Sequence, residues 1–472
     1  MFDTNAGGVI DRMQGSARRE NAEGALRLAA IGDLYDIRAP EDDVEKRCWA
    51  IDGHLSLVAE VATALAISRK RAEAQVRMAV TLRTKLPRVA AVYATGAIDY
   101  RMISMIVSRI ELITDDELMT RIDTRLAEKV GRWARLSGPK TEQRIDAEVA
   151  SADPIAVRDP DRHRRRRHVE VTPTDPGMGA VWANIDALAA AAWDALLDAL
   201  AEKVCPADTR TKDERRADAF AAVPTGHYAR CQCDDTSCPA RSAPATPATV
   251  GVLIHVVAEK AALDGESDTP AYLPGHGNIA AEVLRDIAEH AKTREITVPP
   301  ARVEPRYRPS TALAEFVRCR DLTCRFPGCD VSAWDCDVDH TVAFPAGPTH
   351  PSNLKCLCRF HHLLKTFHTG WSDFQLPDGT VVWTAPTGHT YLTEPEGAHW
   401  FPGLVTPTGI ATAAPAITAP GRCHSMPPRK RTRAEDRTRR IDAERTANRN
   451  RLERRRLEHE ARVAANEDSP PF

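Results

Sequence analysis

No stretch of the 472-residue chain approaches the roughly 20 apolar residues that a membrane-spanning helix needs, so the sequence offers no transmembrane segment. The opening MFDTNAGGVIDRMQGSARRE lacks the basic-then-apolar order of a secretory leader as well. Charge of one sign is also missing: 64 basic residues face 66 acidic ones, a net charge of -2. No whole-molecule field therefore draws the protein to DNA or to a membrane, and any nucleic-acid contact has to come from local patches. These absences lead us to expect a cytoplasmic protein with no membrane partner. A reducing compartment makes disulfides a poor account of its 12 cysteines, so free thiols or metal sites are expected instead. The length predicts about three domains. A hydrophobic content of 43% suffices for a sizeable core and excludes disorder throughout. Nothing in the sequence fixes the oligomeric state.

What is present is unevenly spread. From about residue 17 to 150 the chain is Ala-rich with apolar residues at helical spacing, which predicts a mostly α N-terminal region. Ser68 is placed to cap a helix with Ala72, Val76, Ala79 and Val80 on its apolar side, and Pro87 stands where that helix should stop or bend. With the stretch after Gly96, this reads as a helix-turn-helix-like pair. Its Arg69, Lys70 and Arg71 either touch phosphate or form a solvated basic end. Arg158, Arg162 and Arg164 to Arg167 against Asp159 and Asp161 make a net +4 patch, read as a solvated linker with phosphate contact as the alternative. The strand candidates HVEVT and VGVLIHVV, with Ala-rich helices expected from about 180 to 203 and around 279 to 291, make the middle mixed α/β. The tail from Pro427 to Phe472 holds fourteen basic and nine acidic residues. It reads as an exposed helix held by charge pairs, or as an arm that helps grip nucleic acid. The expected division is a helical to mixed domain over 17–300, a small domain over 301–395, and a Pro-rich linker with a basic tail over 396–472.

The chemistry concentrates between Arg318 and His368. Cys324 and Cys329 are separated by four residues, and Cys358 and His361 by two, which fits two pairs of soft ligands closing on one structural Zn²⁺. On a helix beginning near Cys358, Cys358 and His361 share a face, whereas His362 points about 100 degrees away. Adjacent histidines therefore serve two centres. Asp339 is the expected partner of His362 in holding a catalytic divalent ion, with positions left open for water and a phosphate oxygen, and His340 is free to act as the base. Asn353 is expected to hydrogen-bond backbone across the loop TVAFPAGPTHPS and hold the His340 strand. Lys365 is expected either to meet a phosphate or to stay solvated, and Asp337 to be an exposed carboxylate or a further acidic neighbour. His227 with Cys231, Cys233 and Cys238 has the spacing of a second zinc site, while Cys48, Cys205 and Cys423 stand alone. Cys319, Cys336 and Cys356 read as plain buried or partly exposed thiols. Downstream, LPDGT predicts a hairpin, and residues 371 to 392 a small β appendage in which Trp371 and Trp383 pack.

The pattern of DH, then N after twelve residues, then H after eight more, resembles the HNH motif of ββα-metal endonucleases. The resemblance implies His340 as general base, Asp339 and His362 as ligands of the catalytic metal, Asn353 as the bracing residue, and Cys324, Cys329, Cys358 and His361 as the structural zinc site. Two departures, a His where many relatives have a fourth Cys and a wider first Cys pair, bear on zinc affinity more than on catalysis. Over most of its length the chain looks like the 13E12 repeat family of actinobacterial proteins. The Ala-rich region, RCQCDDTSCPA, YRPSTALAEFVRCRDLTCRFPGC and GWSDFQLPDGTVVWTAPTGHTY carry that likeness. In that family domain of unknown function 222 precedes a C-terminal HNH nuclease, and copies accompany repetitive or mobile elements. The expected activity is metal-dependent hydrolysis of DNA, with Mg²⁺ first and Mn²⁺ or Ni²⁺ compatible. The competing expectation is a catalytically inactive DNA-binding or regulatory protein of a mobile element.

Overall fold

The computed structural model describes residues 4–40, 43–157, 167–174, 178–185, 187–205, 207–223, 231–239, 255–274, 277–288, 291–299, 303–368, 370–409 and 425–467. The chain is mostly helical with small antiparallel sheets, and no described helix is long and apolar enough to cross a membrane. It forms two compact units. One joins residues 1–159 to 293–472 and the other comprises 160–292.

The first stretch is a helical bundle: α1 (Thr4–Arg38), α2 (Gly53–Ala64), α3 (Arg69–Thr84), α4 (Pro87–Ala94), α5 (Tyr100–Arg109), α6 (Asp116–Trp133) and α7 (Gly138–Ala152). Caps set several starts. Asp52, Ser68, Asp99 and Asp115 each accept a hydrogen bond from the amide three residues on, which satisfies a donor the helix itself leaves open. Pro87 does not merely stop α3. It opens α4 at a position where a proline's missing N–H costs nothing. That extra helix intervenes along the chain between α3 and α5, which nevertheless pack against each other. Val76, Leu86, Val89, Ile103, Ile106, Ile122 and Leu126 fill the core between these helices.

In the second unit, β1 (His168–Pro173) pairs antiparallel with β2 (Gly179–Asn184), Val171 opposite Val181. The helix expected from about 180 therefore starts later, as α8 (Ala187–Ala201), because Val181 and Trp182 suit a strand better than a helix. Next come α9 (Lys212–Ala222), α10 (Lys260–Leu263), the pair β3 (Ala271–Leu273) and β4 (Gly277–Ile279), and α11 (Ala281–Ala288). The arginine patch at 158–166, His227, most of VGVLIHVV and Cys423 lie outside the described residues.

The last stretch returns to the first unit. There α12 (Thr311–Asp321) is followed by β5 (Cys336–His340), β6 (Leu354–Cys358), α13 (Arg359–Phe367), and a three-stranded sheet of β7 (Ser372–Gln375), β8 (Val381–Thr384) and β9 (Thr390–Thr393). The hairpin signal LPDGT lies between β7 and β8, where Gly379 takes φ +92°. Buried Arg320 ties these pieces: it pairs with Asp321 and donates to the carbonyls of Pro351 and Leu354. Trp371 and Trp383 are buried in this core as packing residues. Ile51 and Ala59 of the first stretch join the same core, and His368 Nε2 lies 2.7 Å from the Ile51 carbonyl. After α14 (Gly397–Trp400), the long α15 (Arg433–Glu467) packs back on the bundle. Ile441 enters its core, and the Asn448 amide donates to the carbonyls of Ile155 and Val157.

Candidate functional site

Strands β5 and β6 pair antiparallel, with Cys336 opposite Cys358, Asp339 opposite Lys355 and His340 opposite Leu354. Cys358 is both the end of β6 and the cap of α13. The first turn of that helix brings His361 back over Cys358 and turns His362 toward β5.

Four side chains converge at this junction. The ligand atoms of Cys324, Cys329, Cys358 and His361 all lie within 4.8 Å of one another. Cys329 and Cys358 sulfurs are 4.0 Å apart, and His361 Nδ1 lies 3.6 Å from the Cys324 sulfur and 3.3 Å from that of Cys358. Tetrahedral zinc spans ligand edges of about 3.8 Å between sulfurs and about 3.6 Å from sulfur to nitrogen, so these residues fit the ion. The Cys358 amide donates to the Cys324 sulfur at 3.3 Å, and Phe326 stacks on His361 with centroids 3.9 Å apart. Hydrogen bonds from Cys324 and Cys329, with His361 beside them, hold the Cys358 thiol far below its ordinary range. A second cluster, Cys205, Cys231, Cys233 and Cys238, also has its sulfurs within 4.8 Å of one another. Each of these clusters could hold a structural metal such as zinc. Cys205, which stands apart in the sequence, is thus the fourth member of the second set, in the place assigned to His227.

On the other side of α13, Asp339 Oδ1 and His362 Nε2 face each other at 3.4 Å. His362 Nδ1 lies 2.8 Å from Asp337 Oδ2. A carboxylate only accepts, so Nδ1 carries the proton and Nε2 can present a lone pair toward Asp339. Asp337 is therefore neither idle nor merely nearby. The neighbouring Asp339 carboxylate raises the His362 pKa, against burial, and Asp337 adds to the rise. Asp339 Oδ2 is held by Lys365 Nζ at 2.7 Å and Lys355 Nζ at 3.3 Å. Burial would raise the Asp339 carboxyl, but Lys355, His362 and Lys365 hold it far below its usual range. One carboxylate oxygen is thus anchored while the other faces an imidazole nitrogen across a gap. Two ligands about 2.1 Å from a shared divalent ion are about 3.0 to 3.4 Å apart for angles of about 90 to 110 degrees, so this donor pair fits one.

His340 is the residue next along β5. Its Nε2 lies 2.9 Å from Thr349 Oγ1, and the Thr349 hydroxyl itself hydrogen-bonds the Arg306 carbonyl. Because that hydroxyl proton is committed to the carbonyl, Nε2–H must be the donor to Thr349, and Nδ1 keeps the lone pair. Burial pushes the imidazole pKa down to about 4, with Asp339 opposing and Lys365 and Lys355 assisting, so the ring is neutral at pH 7. It is 6% exposed and stacks beneath Tyr307 with centroids 5.4 Å apart. Asn353 straps the connecting loop: its Oδ1 accepts from the Val342 amide at 2.9 Å, and its Nδ2 donates to the carbonyls of Val342 and Pro348. Gly347 passes so close that a Cβ there would lie 2.6 Å from Asn353 Nδ2.

The sequence reading missed Lys355, Asp373 and Thr349. Lys355 is fully buried, 2.6 Å from Asp373 and 3.0 Å from Thr341 Oγ1. Burial alone would lower its pKa, but Asp339 and Asp373 hold it raised. A lysine inside the apolar run LKCLC was the available signal, since a buried cation demands a partner. Lys365 neither meets solvent freely nor is left for a phosphate, because it also donates to the carbonyls of His340 and Thr341. Arg69 of α3 packs over the Phe360 ring at 4.4 Å. Cys319, Cys336 and Cys356 are buried thiols.

The chain belongs to the DUF222 family, described as a domain of unknown function, whose model matches residues 15–321. That match ends at the last residue of α12, so the clustered side chains from Cys324 to His368 lie beyond it. Among relatives, the uncharacterized protein Rv3776 of Mycobacterium tuberculosis H37Rv is 42% identical over 94% of this chain and 90% of its own length. The uncharacterized protein MT2160 of the CDC 1551 strain is 40% identical over 94% of this chain and 88% of its own length. A further M. tuberculosis protein, described as an uncharacterized protein in the est 3′ region, is 35% identical over 66% of this chain and 96% of its own length. No solved structure matches the chain.

Proposed function

We propose that this protein is a metal-dependent endonuclease of the HNH type that hydrolyses DNA phosphodiester bonds. The observation that carries the reading is the 3.4 Å approach of Asp339 Oδ1 to His362 Nε2, with a neutral, oriented imidazole on the adjacent residue. The likeness to the 13E12 repeat family, and with it a link to mobile or repetitive elements, supports the same reading. Asp339 and His362 would hold a divalent ion, Mg²⁺ first and Mn²⁺ or Ni²⁺ compatible, which supplies positive charge for the departing 3′ oxygen. His340 Nδ1 takes a proton from water, the resulting hydroxide attacks phosphorus in line, and the product carries a 5′ phosphate. Asn353 keeps the loop after His340 in place, and Asp337 fixes the tautomer of His362. The sulfur site at Cys324, Cys329, Cys358 and His361 is scaffold.

One observation favours a second reading. Lys355 and Lys365 already surround Asp339 Oδ2 with positive charge, which opposes a divalent ion nearby. A catalytically inactive DNA-binding or regulatory protein would keep the same fold. Supercoiled plasmid incubated with the full chain and Mg²⁺ or Mn²⁺ decides between them. Nicking that is lost in His340→Ala, with DNA binding retained, is the expected result. Identical, metal-insensitive behaviour of both proteins, with binding retained, establishes the second reading. A further expected outcome concerns the scaffold: Cys324→Ser lowers the melting temperature and the zinc content together, whereas unchanged zinc content removes that site.

A further inference from the structure

We propose that the second unit of this protein is organised by a tetrathiolate zinc site made of Cys205, Cys231, Cys233 and Cys238. The four come from two places, the turn just after α8 and the segment Cys231–Cys238. Their sulfurs lie within 4.8 Å of one another, with Cys205 and Cys231 at 3.4 Å. That brackets the edge of about 3.8 Å expected for tetrahedral zinc thiolates.

Two other accounts of four clustered cysteines fail on what surrounds them. A hydrophobic knot needs apolar neighbours, yet among the described residues the buried cluster consists of Val204 and the cysteines themselves. Such small clusters are where metals substitute for hydrophobic burial. Paired disulfides would not bring all four sulfurs into one mutually close group, and each of the four is a free thiol here.

The surroundings are also those of a ligand set. Cys231, Cys233 and Cys238 are buried and Cys205 is half-buried, so the sulfurs face inward from a polar segment. The two arms are further pinned by Asp208, which accepts from the Gln232 amide at 2.8 Å and pairs with Arg210. Arg210 reaches in turn to Asp218 of α9. Closing the chain from 205 to 238 around a metal therefore fixes α9 within the unit. Soft sulfur donors in this number select zinc over the oxygen-preferring ions that suit Asp339.

The full-length protein, purified without added chelator, is expected to contain two zinc ions per chain. Cys205→Ser and Cys233→Ser should each retain one, Cys324→Ser should also retain one, and Cys205→Ser combined with Cys324→Ser should retain none. Cadmium-113 NMR of the wild-type chain avoids any dependence on a variant's folding. Two resonances are expected, one with the shift of four sulfur ligands and one with that of three sulfurs and a nitrogen. A wild-type chain with one zinc, unchanged in Cys205→Ser, overturns the proposal, as does a cadmium spectrum lacking the four-sulfur resonance. Stoichiometric iron in place of the second zinc overturns the choice of metal.

Discussion

Thr349 decides which nitrogen of His340 can receive a proton. Its hydroxyl is committed to the Arg306 carbonyl, so it can only accept from Nε2. Replacing it by valine leaves a buried imidazole N–H without an acceptor, a loss of about 1–3 kcal/mol, and frees the ring to invert its tautomer. If the nuclease reading holds, Thr349→Val should slow single-turnover nicking tenfold or more with metal content unchanged, and Thr349→Ser should restore it. Imidazole nitrogen shifts by NMR report the tautomer without reference to activity. An unchanged tautomer in the valine variant would mean that the hydroxyl does not orient the ring. The soft ligands and the Asp339, His340, Asn353 and His362 set were legible because each carries a fixed spacing along the chain. Thr349, Lys355 and Asp373 were not. Thr349 owes its role to a partner forty-three residues earlier in sequence, Lys355 to one on β7, and no local period encodes either.

At the scale of elements, the loop between β5 and β6 depends on one amide. Asn353 makes three hydrogen bonds to its backbone, at Val342 twice and at Pro348. Asn353→Ala should therefore cost about 2–4 kcal/mol, since partly buried backbone groups lose their partner. Urea unfolding should show the loss, and limited proteolysis should newly cut within residues 341–348. Full stability with no new cut would show that the strap is dispensable. The start of α3 was readable because a cap residue, Ser68, precedes an apolar period. The start of α8 was not, because Ala-rich periodicity runs straight through Val181 and Trp182, and only their pairing with β1 makes them strand. Pro87 does follow the end of α3, as expected, and it opens α4 as well, since a residue that ends one helix is equally suited to begin another.

On the scale of the whole molecule, Asp52 joins the first and last stretches of the chain. It caps α2 and also pairs with Arg429 and Arg433. Burial would raise its carboxyl pKa, but the Leu55 amide and the two guanidinium groups hold it below the ordinary value. A carboxyl depressed on folding contributes stability in full above its unfolded value of about 4, and that contribution is lost as pH falls through the lower folded value. Asp52→Asn keeps a cap acceptor and removes the charge, so about 1–2 kcal/mol should be lost at pH 7. The gap from wild type should close as the pH is lowered below the unfolded value in urea titrations, whereas a constant gap would assign the effect to shape instead of charge. The tail is helical, as its charge pairs led us to expect, but its joining to the first stretch was invisible in the sequence.

The return of α15 to the bundle has a consequence for biosynthesis. Ile441 and Asn448 complete a packing arrangement begun by residues made well before them, and domains usually fold as they emerge. Here the ribosome releases the early helices long before their last neighbour exists, so they wait with an uncovered seam. A message cut short anywhere before that final helix should yield a chain that is prone to aggregate and to degradation, even if every side chain around Asp339 and His362 has already been made.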